Sequence, residues 1–234
     1  MKSRFPFFGS LLHLFFPYTC CGCGTDLITE NILFCIHCQA SMPLTRFEFF
    51  PANIIEKIFW GRIVIQAASA HLYFTRGSSV QHSLHLLKYK GRKDIGTYLG
   101  KQMGLSLKHS NRFSDCEIII PLPLFAAREK KRGYNQASVI ADGISQYLQI
   151  PVISDAVFRV RKTETQTDKS RIQRWENMKS TFEIRSPEKF SGKHVLLVDD
   201  VVTTGASLEA CSQVLLGIPG MRISIACLAH TVSA

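Results

Sequence analysis

The stretch HVLLVDDVVTTGASLEA, His194 to Ala210, constrains this chain more than any other. Val195, Leu196, Leu197 and Val198 form an unbroken apolar run, the pattern of a parallel strand buried on both faces. Asp199 and Asp200 follow where that strand is expected to leave the sheet, the edge at which open α/β sheets bind ligands. Beyond Val201 and Val202, the segment Thr203, Thr204, Gly205, Ala206 and Ser207 supplies hydroxyls and a flexible turn. It stands just before a helical pattern from Ser207 to Leu216, and backbone N–H groups at such a helix start converge on an anion.

The residue types point to a sugar phosphate. A carboxylate accepts two hydrogen bonds, so the acidic pair suits the vicinal hydroxyls of a ribose whose 5′-phosphate rests on the TTGAS loop. A triphosphate P-loop needs a lysine after its glycine run, and a dinucleotide fingerprint needs G-x-G-x-x-G before its acid; neither is present here. The plainer alternative, acids that only complement a helix macrodipole, leaves the ordered strand, acids, hydroxyls and glycine unexplained.

A second pattern lies near the amino terminus. In TCCGCGTDLITENILFCIHCQ, Cys20 and Cys23 form one C-x-x-C knuckle and Cys35 and Cys38 another, with a connector long enough for a tight hairpin. Four thiolates so spaced predict a closed tetrahedral zinc site; disulfides and an iron–sulfur cluster are the alternatives. Gly22 and Gly24 suit turns that aim amides at the sulfurs. Cys21 and His37 flank the set, and either is able to replace a nominal ligand. Cys116, Cys211 and Cys227 sit in apolar or helical patterns and read as small buried hydrophobes.

Ahead of this module, Lys2 and Arg4 precede FPFFGSLLHLFF, which mimics a signal peptide. Pro6, Gly9 and His13 interrupt it and no small-residue cleavage site follows, so Gly9 to Phe16 is expected to be a short amphipathic helix. No apolar run reaches the length of a membrane span, and the cysteine usage fits a reducing cytoplasm.

Between module and core, Gln66 to Thr75 is expected to be a strand or hairpin, and Ser78 to Lys88 and Lys93 to Lys108 to be helices joined by a basic turn. His82 and His85 fit a partly exposed helix face better than a metal site. EIIIP from Glu117 opens the core as a strand leading to the rigid turn at Pro121 and Pro123. The basic run Arg128 to Gly133 and a helix from Tyr134 to Tyr147 follow. Arg159 to Asn177 is rich in Lys, Arg, Thr and Gln, lacks a steady apolar period and predicts a mobile loop between two strands, of a length that is usually functional or disordered. Strands at Thr181 to Ile184, Val195 to Val198 and Arg222 to Leu228 complete a parallel sheet.

VLLVDDVVTTGAS resembles the phosphoribosyl-diphosphate (PRPP) motif of type I phosphoribosyltransferases. PLPLFAAREKKRGYNQA, the later R-x-R-K-T-x-x-Q ending in R-x-x-N-x-x-x-x-F, and the cysteine module make the chain similar to the ComF family over nearly its whole length. The resemblance implies an α/β fold with a parallel sheet flanked by helices and a small amino-terminal four-cysteine zinc module. Residues 1–45 would be the module and 46–234 the phosphoribosyltransferase-type domain, with 46–115 its variable hood and 116–234 its core.

By the same resemblance, PRPP with magnesium would rest on Asp199 to Ser207, and Asp199 and Asp200 would also stabilise the cationic sugar. Pro121, Leu122, Pro123 and Leu124 would form the pyrophosphate loop, with Arg128, Lys130 and Arg132 near the leaving diphosphate. Lys162, Thr163, Gln166, Arg171 and Asn177 are the candidate lid contacts. The family implies a role in DNA uptake, with single-stranded DNA and other DNA-uptake proteins as partners; a metabolic transferase acting on a nitrogenous acceptor is the alternative. The excess of 28 Lys and Arg over 18 Asp and Glu favours anionic partners and does not choose between these.

Overall fold

A run of residues apolar on both sides needs cover on both sides, and the computed structural model places Val195 to Val198 fully buried at the centre of a four-stranded sheet. The structure describes residues 18–27, 32–160 and 181–232. Along the chain run β1 (Tyr18–Thr19), β2 (Asp26–Leu27), α1 (Ile36–Ala40), α2 (Ile54–Phe59), β3 (Ala67–Phe74), α3 (Ser79–Tyr89) and α4 (Lys93–His109). Then come β4 (Ile118–Pro121), α5 (Ala126–Arg132), α6 (Gln136–Leu148), β5 (Val157–Arg159), β6 (Phe182–Ile184), β7 (His194–Val202), α7 (Ala206–Leu216) and β8 (Arg222–Thr231).

The central sheet has the order β3-β8-β7-β4, with every pairing parallel. Because side chains alternate across a strand, Leu196 and Val198 join the core under α3, α4 and α6, while Val195 and Leu197 join the core under α2 and α7. On the first face α4 and α6 approach unusually closely. A Cβ on Gly100 would strike the Ile140 carbonyl oxygen, and one on Gly143 would lie 2.6 Å from that of Thr97. Only a hydrogen fits at either contact.

The structure differs from the sequence expectations at identifiable places. β7 does not leave the sheet at Asp199: Asp199 pairs with Cys227 and Val201 with Ala229, because β8 continues to Thr231 and gives the strand a partner. Thr181 to Ile184 does not enter the parallel sheet. β6 instead pairs antiparallel with β5 as a separate ribbon, Arg159 opposite Phe182, and its exposed Glu183 would be costly between two covered faces. The segment from Gln66 forms a single strand, β3, and although it falls in the stretch read as the hood it closes one edge of the central sheet. The basic run after Phe125 is helical as α5 and ends at Gly133, whose φ of 80° forms a left-handed cap. The expected amino-terminal helix lies outside the described residues. Among the described residues, no helix is long and apolar enough to cross a membrane.

Candidate functional site

The acidic pair and the loop after it meet at the carboxyl end of β7. Asp200 donates its backbone N–H to Asp199 Oδ1 at 2.8 Å, and Lys88, from the end of α3, reaches Asp200 Oδ2 at 3.0 Å. Burial first, and the neighbouring Asp200 charge second, raise the Asp199 carboxyl to about 8, while Lys88 and Arg159 pull it back. Two carboxylates crowded in this way favour a proton, a cation or hydroxyl donors between them.

Val201 to Leu208 wrap a hollow of about 110 Å³ that also touches Asp199. Gly205 turns the chain into α7 with φ 73°, and no side chain caps the helix start, so its first N–H groups face the hollow uncapped. Gly205 is constrained twice over: a Cβ there would also lie 2.8 Å from Ile58 Cγ2 and 2.9 Å from Phe59 Cε1. Helix α2 thus forms the floor under the loop. Just past that helix, Arg62 donates from Nη1 to the Thr204 carbonyl at 3.1 Å and from Nη2 to Glu209, pinning the loop to the first turn of α7.

The loop after β4 lies beside the carboxyl end of β7. Leu122 donates its backbone N–H to Val198 at 2.8 Å, Asn135 Nδ2 donates to the Leu122 carbonyl at 3.0 Å, and Arg159 Nε donates to that of Pro123 at 2.8 Å. Pro121, Leu122 and Pro123 are buried and Leu124 is half-buried, so the sequence-predicted turn is held from three directions. The Arg159 guanidinium lies over the rings of Phe125 (4.4 Å) and Phe182 (4.5 Å).

Of the basic residues singled out by sequence, Arg128 lies over Phe125 at 5.7 Å and Arg132 over Tyr89 at 5.4 Å, while Lys130 stays exposed on α5. Lys162, Thr163, Gln166, Arg171 and Asn177 lie outside the described residues. Sequence reasoning has Lys88 and Arg159 only as members of basic clusters, and it misses Arg62, which stands alone in the sequence with no motif to mark it.

The cysteine module is built differently. β1 and β2 form a hairpin whose turn carries Cys20 and Cys23, with β2 lying in the connector between the knuckles. Cys35 caps α1, and Cys38 lies within it. The sulfurs of Cys20, Cys23, Cys35 and Cys38 lie within 4.8 Å of one another, with Cys23 and Cys35 at 3.7 Å. A tetrahedron with metal–sulfur bonds of about 2.3 Å has edges of about 3.8 Å, so the spacing fits a structural metal. Gly22 and Cys35 point their N–H groups at the Cys20 sulfur, at 3.4 and 3.2 Å, which favours thiolates.

Neither flanking residue joins the set. Cys21 is buried and takes a hydrogen bond from Arg92 Nη2 at 3.3 Å, and His37 is exposed on α1. His82 and His85 also stay outside any metal cluster among the described residues, and His85 packs on Tyr89.

The parallel sheet, the acid pair and the glycine-turned loop define a phosphoribosyltransferase-type α/β domain, here preceded by a four-cysteine module. A family profile described as phosphoribosyl transferase domain matches residues 134–233. Competence protein F of Haemophilus influenzae is 29% identical over 91% of both chains. The DNA utilization protein YhgH of Shigella flexneri is 33% identical over 64% of this chain and 66% of its own length, just under two thirds of that relative. Competence protein ComFC of Bacillus subtilis is 26% identical over 61% of this chain and 56% of its own. The chain is thus similar to competence and DNA utilization proteins over 61% to 91% of its length.

Proposed function

We propose that the protein binds PRPP with magnesium at Asp199 to Ser207 and serves the handling of DNA during uptake. The observation that supports this most strongly is the conjunction of Asp199, with Asp200 next to it, and the uncapped start of α7 around one small hollow that Asp199 lines. The loop amides and the hydroxyls of Thr203, Thr204 and Ser207 would take the 5′-phosphate, and the carboxylates the ribose hydroxyls. Residues 121–124, beside the end of β7, would take the diphosphate side, with Arg159 and Lys88 supplying positive charge.

The crowded carboxylates suit a divalent cation, which when bound would neutralise the diphosphate and ease its departure. Lys88 and Asp200 hold each other in place before any ligand arrives, so little reorganisation is needed on binding. In the four-cysteine module, all-sulfur coordination and N–H groups aimed at sulfur favour zinc in a structural role.

A calorimetric titration of PRPP and magnesium tests the reading. Binding by the wild type and a large loss in the Asp199→Asn, Asp200→Asn double variant is expected; unchanged affinity overturns it. The DNA arm draws on the likeness to competence and DNA utilization proteins and on the surface where Phe125 and Tyr89 carry arginines, an arrangement suited to stacking bases beside positive charge. Single-stranded DNA should then bind weakly and fall away steeply with salt. The competing reading is a metabolic transferase that moves phosphoribose to a nitrogenous acceptor. Turnover of labelled PRPP with such an acceptor, without DNA binding at low salt, would favour it.

A further inference from the structure

A second cavity, of about 370 Å³, lies along β3 and α4, between the residues that follow the cysteine module and the middle of α4. None of its lining residues lines the hollow at Asp199 to Leu208. Its size falls within the range of small-molecule sites.

At its base is His71, from the middle of β3, only 6% exposed. No hydrogen bond to either ring nitrogen occurs among the described residues, and the ring lines the cavity, so its nitrogens are open to an occupant. Burial holds its pKa down to about 4 against the opposing pull of Glu48, so at neutral pH the ring offers one donor and one acceptor. Glu48 itself is 2% exposed and occupied, accepting hydrogen bonds from Ser69 and Ser106. It leaves His71 as the polar group free to face an occupant.

Two further polar groups, both exposed, line the same cavity. The Gln102 amide, on α4, makes no hydrogen bond among the described residues and presents a donor and an acceptor in one plane. Arg46 is held at φ 61°, an uncommon conformation for a residue with a side chain, and its guanidinium makes no ion pair among the described residues. Phe49 and Tyr98 contribute aromatic wall.

We propose that this cavity is a binding site, separate from the PRPP hollow, for a planar nitrogen heterocycle bearing one anionic group, the class of a nucleoside monophosphate. The flat ring uses the aromatic wall, its mixed edge uses His71 and Gln102, and the anion meets Arg46. A simple anion would leave the wall and the two neutral polar groups idle, and a saturated sugar would leave the rings without a face to pack on.

The test is calorimetry on the full chain with GMP, AMP, guanosine and inorganic phosphate, alongside NMR of histidine-¹⁵N-labelled protein. A monophosphate should bind saturably and shift the His71 ring nitrogens, with inorganic phosphate weaker by at least about tenfold. Arg46→Gly, which relieves the backbone, should weaken the monophosphate about tenfold or more while sparing guanosine. Gln102→Leu, on the outer side of the cavity, should weaken both. The Asp199→Asn, Asp200→Asn variant should bind as the wild type does, which keeps this test distinct from that of the PRPP reading. Absence of saturable binding at millimolar ligand overturns the proposal. So does affinity for phosphate equal to that for the monophosphate, or loss of binding in the acid-pair variant.

Discussion

The cysteine module and the acid-and-loop site are both short motifs in sequence, yet they reach their geometry by opposite routes. In the module, ligands from Cys20 to Cys38 are brought together by one tiny hairpin and one turn of helix, and the sulfurs themselves are the site. At the acid pair, the motif supplies only the front. Its floor is α2, its pin is Arg62, its counter-charge is Lys88, and the loop beside it, after β4, is tied by Asn135 and Arg159. A locally built site should fail all at once, and a collectively built one by degrees.

The largest effect is therefore expected in the module. Replacing Cys35 and Cys38 together should abolish metal content, measured on freshly purified protein, and unfold the module, because a closed zinc site of this kind supplies an apparent binding energy of about 10 to 16 kcal/mol. Retention of folded structure around Tyr18 to Ala40 without metal would break the contrast.

Next comes Gly205→Ala, which combines a left-handed backbone with contacts that leave no room for a methyl. A loss of about 2 to 5 kcal/mol is expected in denaturant unfolding, with PRPP binding lost as well. A smaller loss is expected for the Asp199→Asn, Asp200→Asn variant: PRPP affinity down about a hundredfold, the fold intact.

Arg62→Ala should be milder. Losing its carbonyl contact and its partly exposed ion pair should cost about 1 kcal/mol and weaken PRPP severalfold, with loop protection in hydrogen exchange reduced. Equal damage from Arg62→Ala and Gly205→Ala would mean that the loop is a single rigid unit.

The remaining expectation concerns the direction of a pH dependence. Because the native Asp199 carboxyl titrates above its unfolded value, the ligand-free native state holds a proton that the unfolded chain gives up. Its contribution to stability is complete below about 4 and declines as pH rises towards about 8. The Asp199→Asn variant should flatten that slope in unfolding curves taken across this window.

The same contrast explains which parts of the molecule are legible in the sequence. Val195 to Val198, the paired knuckles and the helical periods of α3 and α4 announce themselves because their physical causes lie among neighbours along the chain. The length of β7 does not, since it depends on where β8 stops, and neither does the fate of Thr181 to Ile184, which depends on β5. Lys88 reads as one more surface lysine in a basic turn; its role comes from the direction of α3. The closeness of α4 and α6 does leave a trace in the sequence. Gly96, Gly100 and Gly104 recur at helical spacing, and Gly100 and Gly104 sit where a Cβ would strike the α6 backbone.

Helix α3 carries a consequence of its own. Near its start, Ser79 lies against Gly22, and Ser83 donates to the Cys21 carbonyl at 2.9 Å. At its other end, Tyr134 donates to the Leu87 carbonyl and Lys88 holds Asp200. A rod about 16 Å long thus touches the sulfur cluster at one end and the acid pair at the other. If the two sites hold a metal and a sugar phosphate as proposed, this rod is an element that both would share. A ligand that steadied Lys88 and thereby tightened the grip on a metal would, by thermodynamic reciprocity, be helped by that metal by the same factor.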